Sequence, residues 1–412
     1  MRPIWTAFLS VALSGCLTPK GESGPLEARP LIADCGLPVG TALPDLTAGP
    51  EGPALLFVQE KGDTVNLRWA SWDGERWSDT VTIAKGTDFL VNWADRPALA
   101  FGDGDDAHAH WLQVDPRGDF AYSIQTTHSE DGGTTWSAPD VPHRDTAVAE
   151  HGFGQWMVGQ EGTLFAWLDG RCFDGHPEPA KAPMEVRTAA WTPALGWSEE
   201  VVIDSSACTC CPMSSTALNG GHMLAYRDRS AEEIRDFSAV SLRIDTLGMP
   251  QVTNTPQTLG PDGWYMPGCP VNGAALASAG DRTLAVWFTA AGDSARIRSA
   301  WHSDSEVSWK SSNDLQRYEA VGRAAAAVDG RGHYYAAWLE RQENVSVLVG
   351  QSWDPQGSPQ FDAPLVLTAA DAERAGGFPT MTGLDHGGVL LAWTTTGKEA
   401  HVRTAVWPPS PE

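Results

Sequence analysis

Seven times along this chain, at intervals of about fifty residues, a short apolar strand ends at or next to a large ring. The copies are Ala54-Leu-Leu-Phe-Val58, Ala107-His-Ala-His-Trp111, Thr163-Leu-Phe-Ala-Trp167, His222-Met-Leu-Ala-Tyr226, Thr283-Leu-Ala-Val-Trp287, His333-Tyr-Tyr-Ala-Ala-Trp338 and Gly388-Val-Leu-Leu-Ala-Trp393. A strand of small residues precedes each, such as Gly273-Ala-Ala-Leu-Ala277 or Ala324-Ala-Ala-Ala-Val328. An alternating strand follows, such as Val186-Arg-Thr-Ala-Ala-Trp191 or Ile297-Arg-Ser-Ala-Trp301. A unit this short cannot bury its apolar face alone, so neighbouring copies must stack. Small side chains suit the crowded innermost strand of a radial array, and four strands per copy predict an all-β β-propeller of seven blades over residues 45–407. The last unit, 379–407, lacks a fourth strand, and a segment near residues 30–40 is expected to supply it.

Residues 129–136, Ser-Glu-Asp-Gly-Gly-Thr-Thr-Trp, fill every position of the Asp-box pattern S-x-D-x-G-x-T-W. In such a turn the Asp131 carboxylate accepts local N–H groups, glycines allow positive φ, and Trp136 packs back between strands. Degenerate copies follow at Ser71-Trp-Asp-Gly74 with Trp77 and at Ser352-Trp-Asp-Pro-Gln-Gly357 with Phe361. At these residues the chain resembles the sialidase-like (BNR-repeat) β-propellers. That resemblance implies a six-bladed alternative, with Asp-boxes on the face opposite the active site.

The N-terminus reads as a processing segment. Met1-Arg2 is followed by an apolar run from Ile4 to Leu13, too short to span a bilayer as a mature helix. Leu13-Ser-Gly-Cys16 fits a bacterial lipobox. The expected organisation is a lipoprotein signal peptide at 1–15, lipidated Cys16 with a flexible tether and closing strand at 16–44, the propeller, and a tail at 408–412. Membrane lipid is then expected as a partner through acylated Cys16, and the resemblance to bacterial lipoproteins implies export to the cell envelope, at the outer membrane, since residue 17 is Leu rather than the Asp of retained ones. The formal charge of −24 argues against nucleic acid and against anionic headgroups.

Strand direction alternates within a blade, so loops after second strands and loops between blades share one face. The Asp-box turns occupy the other. This rule gathers Arg171–His176, Cys208–Pro212, Arg227–Asp236 and Trp264–Pro270 on the loop face of blades three to five. Six cysteines besides Cys16 (35, 172, 208, 210, 211 and 269) allow fifteen disulfide pairings in an exported protein. Adjacent Cys210 and Cys211 would each need a separate partner. The other reading is a metal site in which Cys208, Cys210, Cys211 and Cys269, with His176, surround Cu(I) or Zn(II).

The sialidase resemblance implies an arginine triad for a carboxylate, a tyrosine nucleophile paired with glutamate, and an aspartic acid/base. Candidates on the loop face are Arg96, Arg227, Arg235, Arg323 and Arg374, with Tyr265 or Tyr318, the latter beside Glu319, and Asp228 or Asp236 as the acid; an arginine fork pairs carboxylate bidentately. Only Asp95-Arg96-Pro97 approaches the family's arginine motif. Arg227-Asp228 and Arg235-Asp236 read equally as ion pairs within a long loop. The acidic turn Gly102–Asp106 lacks EF-hand spacing, and His108 and His110 read as a surface pair. The function expected is a lipid-anchored extracytoplasmic propeller binding a ligand, metal ion, glycan or partner protein through its cysteine-rich face. A sialidase-like exo-glycosidase and a disulfide-stapled structural envelope protein are the alternatives.

Overall fold

The computed structural model describes residues 32–34, 37–178, 181–303, 308–311 and 314–409, with backbone only at 32–34 and 311. The expected signal segment, Cys16 and Cys35 lie outside the described residues. Seven antiparallel sheets follow one another along the chain. Blade one is Thr41–Gly49, Gly52–Lys61, Thr64–Ser71 and Val81–Gly86. Blade three is His151–Gly159, Gly162–Asp169, Met184–Thr192 and Val201–Ala207, with the short pair Gly196–Trp197. Blade two has three strands, and a Thr126–Asp140 bridge stands where its fourth would be. The innermost strands touch in succession, and that of blade seven, Thr380–Gly383, meets Thr41–Gly49 of blade one. The ring therefore closes with seven blades rather than six. The chain's two ends also meet there: Ile32–Asp34 pairs with Val402–Trp407 as the outer strand of blade seven.

Every repeat of the apolar motif falls in a second strand, where Trp167, Trp287 and Trp338 are fully buried. A buried indole N–H needs an acceptor. Each finds a carboxylate: Trp167 Nε1 donates to Asp169 at 2.7 Å, Trp287 to Asp262 at 2.7 Å and Trp338 to Glu340 at 2.5 Å. No helix of the described residues is long and apolar enough to cross a membrane.

The turn at 129–136 forms as its composition requires. Asp131 accepts from Thr135 N at 2.8 Å and Thr135 Oγ1 at 2.6 Å, while Ser129 Oγ accepts from Gly133 N at 2.9 Å. Gly133, at φ +85°, offers its carbonyl to Trp136 and to Trp69 of blade one. The turn abuts the first-to-second strand turn of its own blade, where Gly132 N donates to Asp105 O.

On the opposite face three of the seven inner strands, those of blades one, three and six, begin with bulges. Leu43, Phe153 and Arg323 take positive φ (53°, 53° and 57°), each beside a break in register. A bulge frees an N–H from the ladder. At two of the three bulges the loop leading into the preceding blade supplies the acceptor: Asp95 Oδ1 accepts from Phe153 N and Asn272 Oδ1 from Arg323 N, both at 2.7 Å.

Candidate functional site

The loop face holds two adjoining groups of reactive side chains. The first is a knot of thiols. The outer strand of blade three ends at Ala207, and Cys208 N donates to Arg227 O at 2.9 Å, which turns the chain inward. Cys208 Sγ then lies 2.9 Å from Cys211 Sγ and 3.9 Å from Cys210 Sγ. The three sulfurs sit within 4.8 Å of one another. Cys208 and Cys211 are buried, Cys210 is half-buried and Cys269 is exposed. Thr209 Oγ1 is 3.6 Å from Cys269 Sγ, which brings the fourth thiol to the rim. The five described cysteines are free thiols. Donation by Cys210 and Cys211 holds Cys208 well below the usual thiol range, burial pushes Cys211 up to about 12, and donation by Cys210 lowers Cys269 to about 6.

The fifth thiol, Cys172, stands apart among Asp169, Arg171, Glu185 and Arg187. His176 is outside the knot too, its Nδ1 accepting from Glu178 N at 3.0 Å.

The second group surrounds Asp95 at the mouth of the central channel. Asp95 is 2% exposed; its Oδ1 caps Phe153, while Oδ2 makes no well-formed hydrogen bond and has the Tyr122 phenol as its nearest polar neighbour. Burial pushes its carboxyl up to about 8, so it is protonated at neutral pH. The Tyr122 phenol lies beside it, raised well above its ordinary value by burial. Glu150, also raised by burial, is the next neighbour and reaches toward Cys269. Arg96 lies 3.6 Å from Asp45, and its Nη1 is buried without a partner. Asp95 and Arg96 line a cavity of about 370 Å³ with Phe153, Met213, Phe378 and the alanine-rich inner strands. Gly152 makes room for this arrangement, since a Cβ there would lie 2.0 Å from Asp95 Oδ2 and 2.8 Å from the Tyr122 ring.

Three other arginines named from the sequence are engaged. Arg227 is buried against Phe237 and Trp264 and donates to Asn272 O, Arg235 O and Phe288 O. Arg323 donates to Ala372 O, Glu373 O and Gly377 O and stacks over Trp93. Both staple loops. Arg235 pairs with Glu233 at 2.7 Å, which also holds Arg229 at 2.6 Å. The Arg227–Asp228 and Arg235–Asp236 ion pairs read from adjacency do not form. Asp228 instead accepts from Arg229 N and Ser238 Oγ, and Asp236 from Gly263 N and Trp264 N. Neighbouring residues on extended chain point to opposite sides, so adjacency misleads. Tyr318 is half-buried beneath Arg317, while Glu319 is exposed and turns to Arg341.

His108 and His110 are buried rather than a surface pair. Burial lowers them to about 4 and about 3, with His108 Nε2 3.0 Å from Thr163 Oγ1. Two features had no sequence signal of their own. Tyr122 and Glu150 belong to no motif; only Gly152 and Gly154, paired in a strand, mark a close approach. The stacked imidazoles of His143 and His151 flank Asp145 at 3.2 and 3.1 Å. Arg171 already occupies that carboxylate at 3.0 Å, which makes the group an internal ion network.

No known protein family matches the chain, and no curated protein matches it in sequence. Among solved structures it is similar to an ulvan lyase of a polysaccharide lyase family, bound to -[GlcA(1-4)Rha3S]-, at 11% identity and TM-score 0.57, covering 91% of this chain and 96% of that one. It is also similar to a second polysaccharide lyase, at 8% identity and TM-score 0.52 over 89% and 90% of the two chains. A Dyadobacter fermentans protein of unknown function matches at 12% identity and TM-score 0.52, covering 80% and 98%. At these identities the likeness establishes the propeller fold alone.

Proposed function

We propose that this chain is an exported propeller, held at the cell envelope through lipidated Cys16, that binds a glycan at the loop-face mouth of its channel. The observation that carries this reading is the pair of under-bonded buried groups, Asp95 Oδ2 and Arg96 Nη1, lining one cavity. A buried polar atom without a partner costs about 1–3 kcal/mol, and such atoms concentrate where a ligand completes them. Protonated Asp95 is a donor and acceptor and Arg96 a fixed cation, a set that suits sugar hydroxyls and a uronate or sulfate group. The likeness to polysaccharide lyases supports the same substrate class. Arg227, Arg323 and Arg235 are committed to carbonyls or to Glu233, which favours this reading over a sialidase-type arginine triad.

Screening the mature full-length protein against immobilised glycans, with sulfated and uronate-containing polysaccharides included, tests the idea. Arg96→Gln is expected to weaken retention by at least tenfold. Absence of binding to every glycan, or binding untouched by Arg96→Gln and Asp95→Asn together, overturns it. A second reading, glycan cleavage, is favoured by one observation: a carboxyl protonated at neutral pH beside a phenol and a glutamate, the arrangement general acid catalysis needs. New reducing ends from a bound polysaccharide, abolished by Asp95→Asn, would establish it.

A further inference from the structure

We propose that Cys208, Cys210 and Cys211 form a thiolate site for a soft d¹⁰ metal ion, with Cys269 as a rim ligand that decides which ion is held. The site borders the channel mouth but does not depend on the glycan reading.

Four observations carry it. The three sulfurs lie within 4.8 Å of one another, so one ion can reach all of them. Tetrahedral bonds of about 2.3 Å place ligand sulfurs about 3.8 Å apart, and Cys208 and Cys210 are already 3.9 Å apart. The 2.9 Å between Cys208 and Cys211 is longer than a disulfide of about 2.05 Å and opens to ligand spacing by side-chain rotation. Positive charge also waits beside the sulfurs. Arg227 and Arg235 are both buried, and both guanidiniums lie close enough to Cys208 to balance charge on its sulfur. Three thiols binding Cu(I) release three protons and leave a complex of charge −2, which two guanidiniums balance. Charged partners behind the ligands are a regular part of metal sites.

The donors select the ion. All-sulfur sets favour Cu(I) and Zn(II) over hard cations. Three thiolates, two of them buried and Cys210 half-buried, satisfy Cu(I), whereas a structural zinc site is closed by four ligands. Cys269 is exposed and meets the knot at its rim, beside Thr209 and Cys210, the position from which a fourth ligand comes.

The test uses mature full-length protein, reduced and handled without oxygen. It is equilibrated separately with Cu(I) and with Zn(II), and retained metal is measured by elemental analysis and by competition with a chromophoric chelator. One equivalent is expected, with affinity falling at least 100-fold in Cys210→Ser. Cys210 is half-buried, so this variant spares the core; Cys172→Ser, away from the knot, should bind as wild type. Loss of Zn(II) but not Cu(I) in Cys269→Ser identifies a three-thiolate Cu(I) centre. Equal loss of both ions in that variant identifies a four-thiolate centre. Failure to retain either ion, or retention unchanged in Cys210→Ser, overturns the proposal. So does a Cys208–Cys211 disulfide found by alkylation and mass spectrometry in protein taken directly from the envelope.

Discussion

Replacing Asp95 by Asn should stabilise the protein at neutral pH, and the gain should grow with pH. Asp95 caps the Phe153 bulge through Oδ1, but its second oxygen is buried without a well-formed hydrogen bond. Burial raises its folded pKa from 3.8 to about 8. Below about pH 4 both folded and unfolded states are protonated, and the group imposes no penalty. Between about pH 4 and about pH 8 only the unfolded chain ionises, so the unfolded state gains and stability falls as pH rises. Each unit of separation is worth about 1.4 kcal/mol, which gives about 4 kcal/mol at pH 7 as a ceiling; local relaxation and water entry bring the expected gain to about 2–4 kcal/mol. The molecule contains its own precedent. Asn272 occupies the corresponding loop between blades four and five and caps the Arg323 bulge of blade six at the same 2.7 Å, without a charge to suppress. The assay is urea unfolding of wild type and Asp95→Asn at half-unit steps from pH 4.5 to 8.5. Tyr122 and Glu150 are present in both proteins, so the difference isolates Asp95. A stability difference that stays flat across that range, or a variant destabilised throughout, would refute a buried neutral carboxyl. If the gain in stability is accompanied by loss of glycan binding, Asp95 is a residue retained for function at a cost in stability.

Three other outcomes are expected. Asp131→Ala removes the acceptor of the 129–136 turn and should lower Tm. Asp131 is held down to about 2 by Thr135 and Ser129, so its contribution is present above its unfolded pKa and fades as pH falls toward 2, where variant and wild type should converge in a Tm–pH series. Arg323→Met leaves the carbonyls of Ala372, Glu373 and Gly377 without their donor, and should cost about 2–4 kcal/mol in denaturant unfolding. Deleting residues 32–34 exposes Val402–Trp407 as an edge strand; a Tm lower by several degrees and faster aggregation by light scattering should follow.

The repeat made the ring legible without coordinates. Each copy pairs a small-residue strand with an apolar strand ending at or next to a ring, and that period admits few architectures. Residues 129–136 carry their own turn, because the bonds that shape it, from Thr135 to Asp131 and from Gly133 N to Ser129, lie within eight positions. The same period assigned loops to faces, so the meeting of Cys208, Cys210, Cys211 and Cys269 was readable from strand alternation. What the chain could not reveal is how those loops fold once they arrive. Arg227 and Arg323 look like ligand-binding arginines in sequence, yet tertiary packing turns both onto backbone carbonyls. Tyr122 and Glu150 look ordinary, yet they come together with Asp95, a residue noticed only as the neighbour of Arg96. The difference is one of range. Strand period and turn chemistry are local, so composition and spacing decide them. Burial, and with it the protonation of Asp95 and the spare hydrogen-bonding capacity of Arg96, depends on which blades face each other, and only the closed ring decides that.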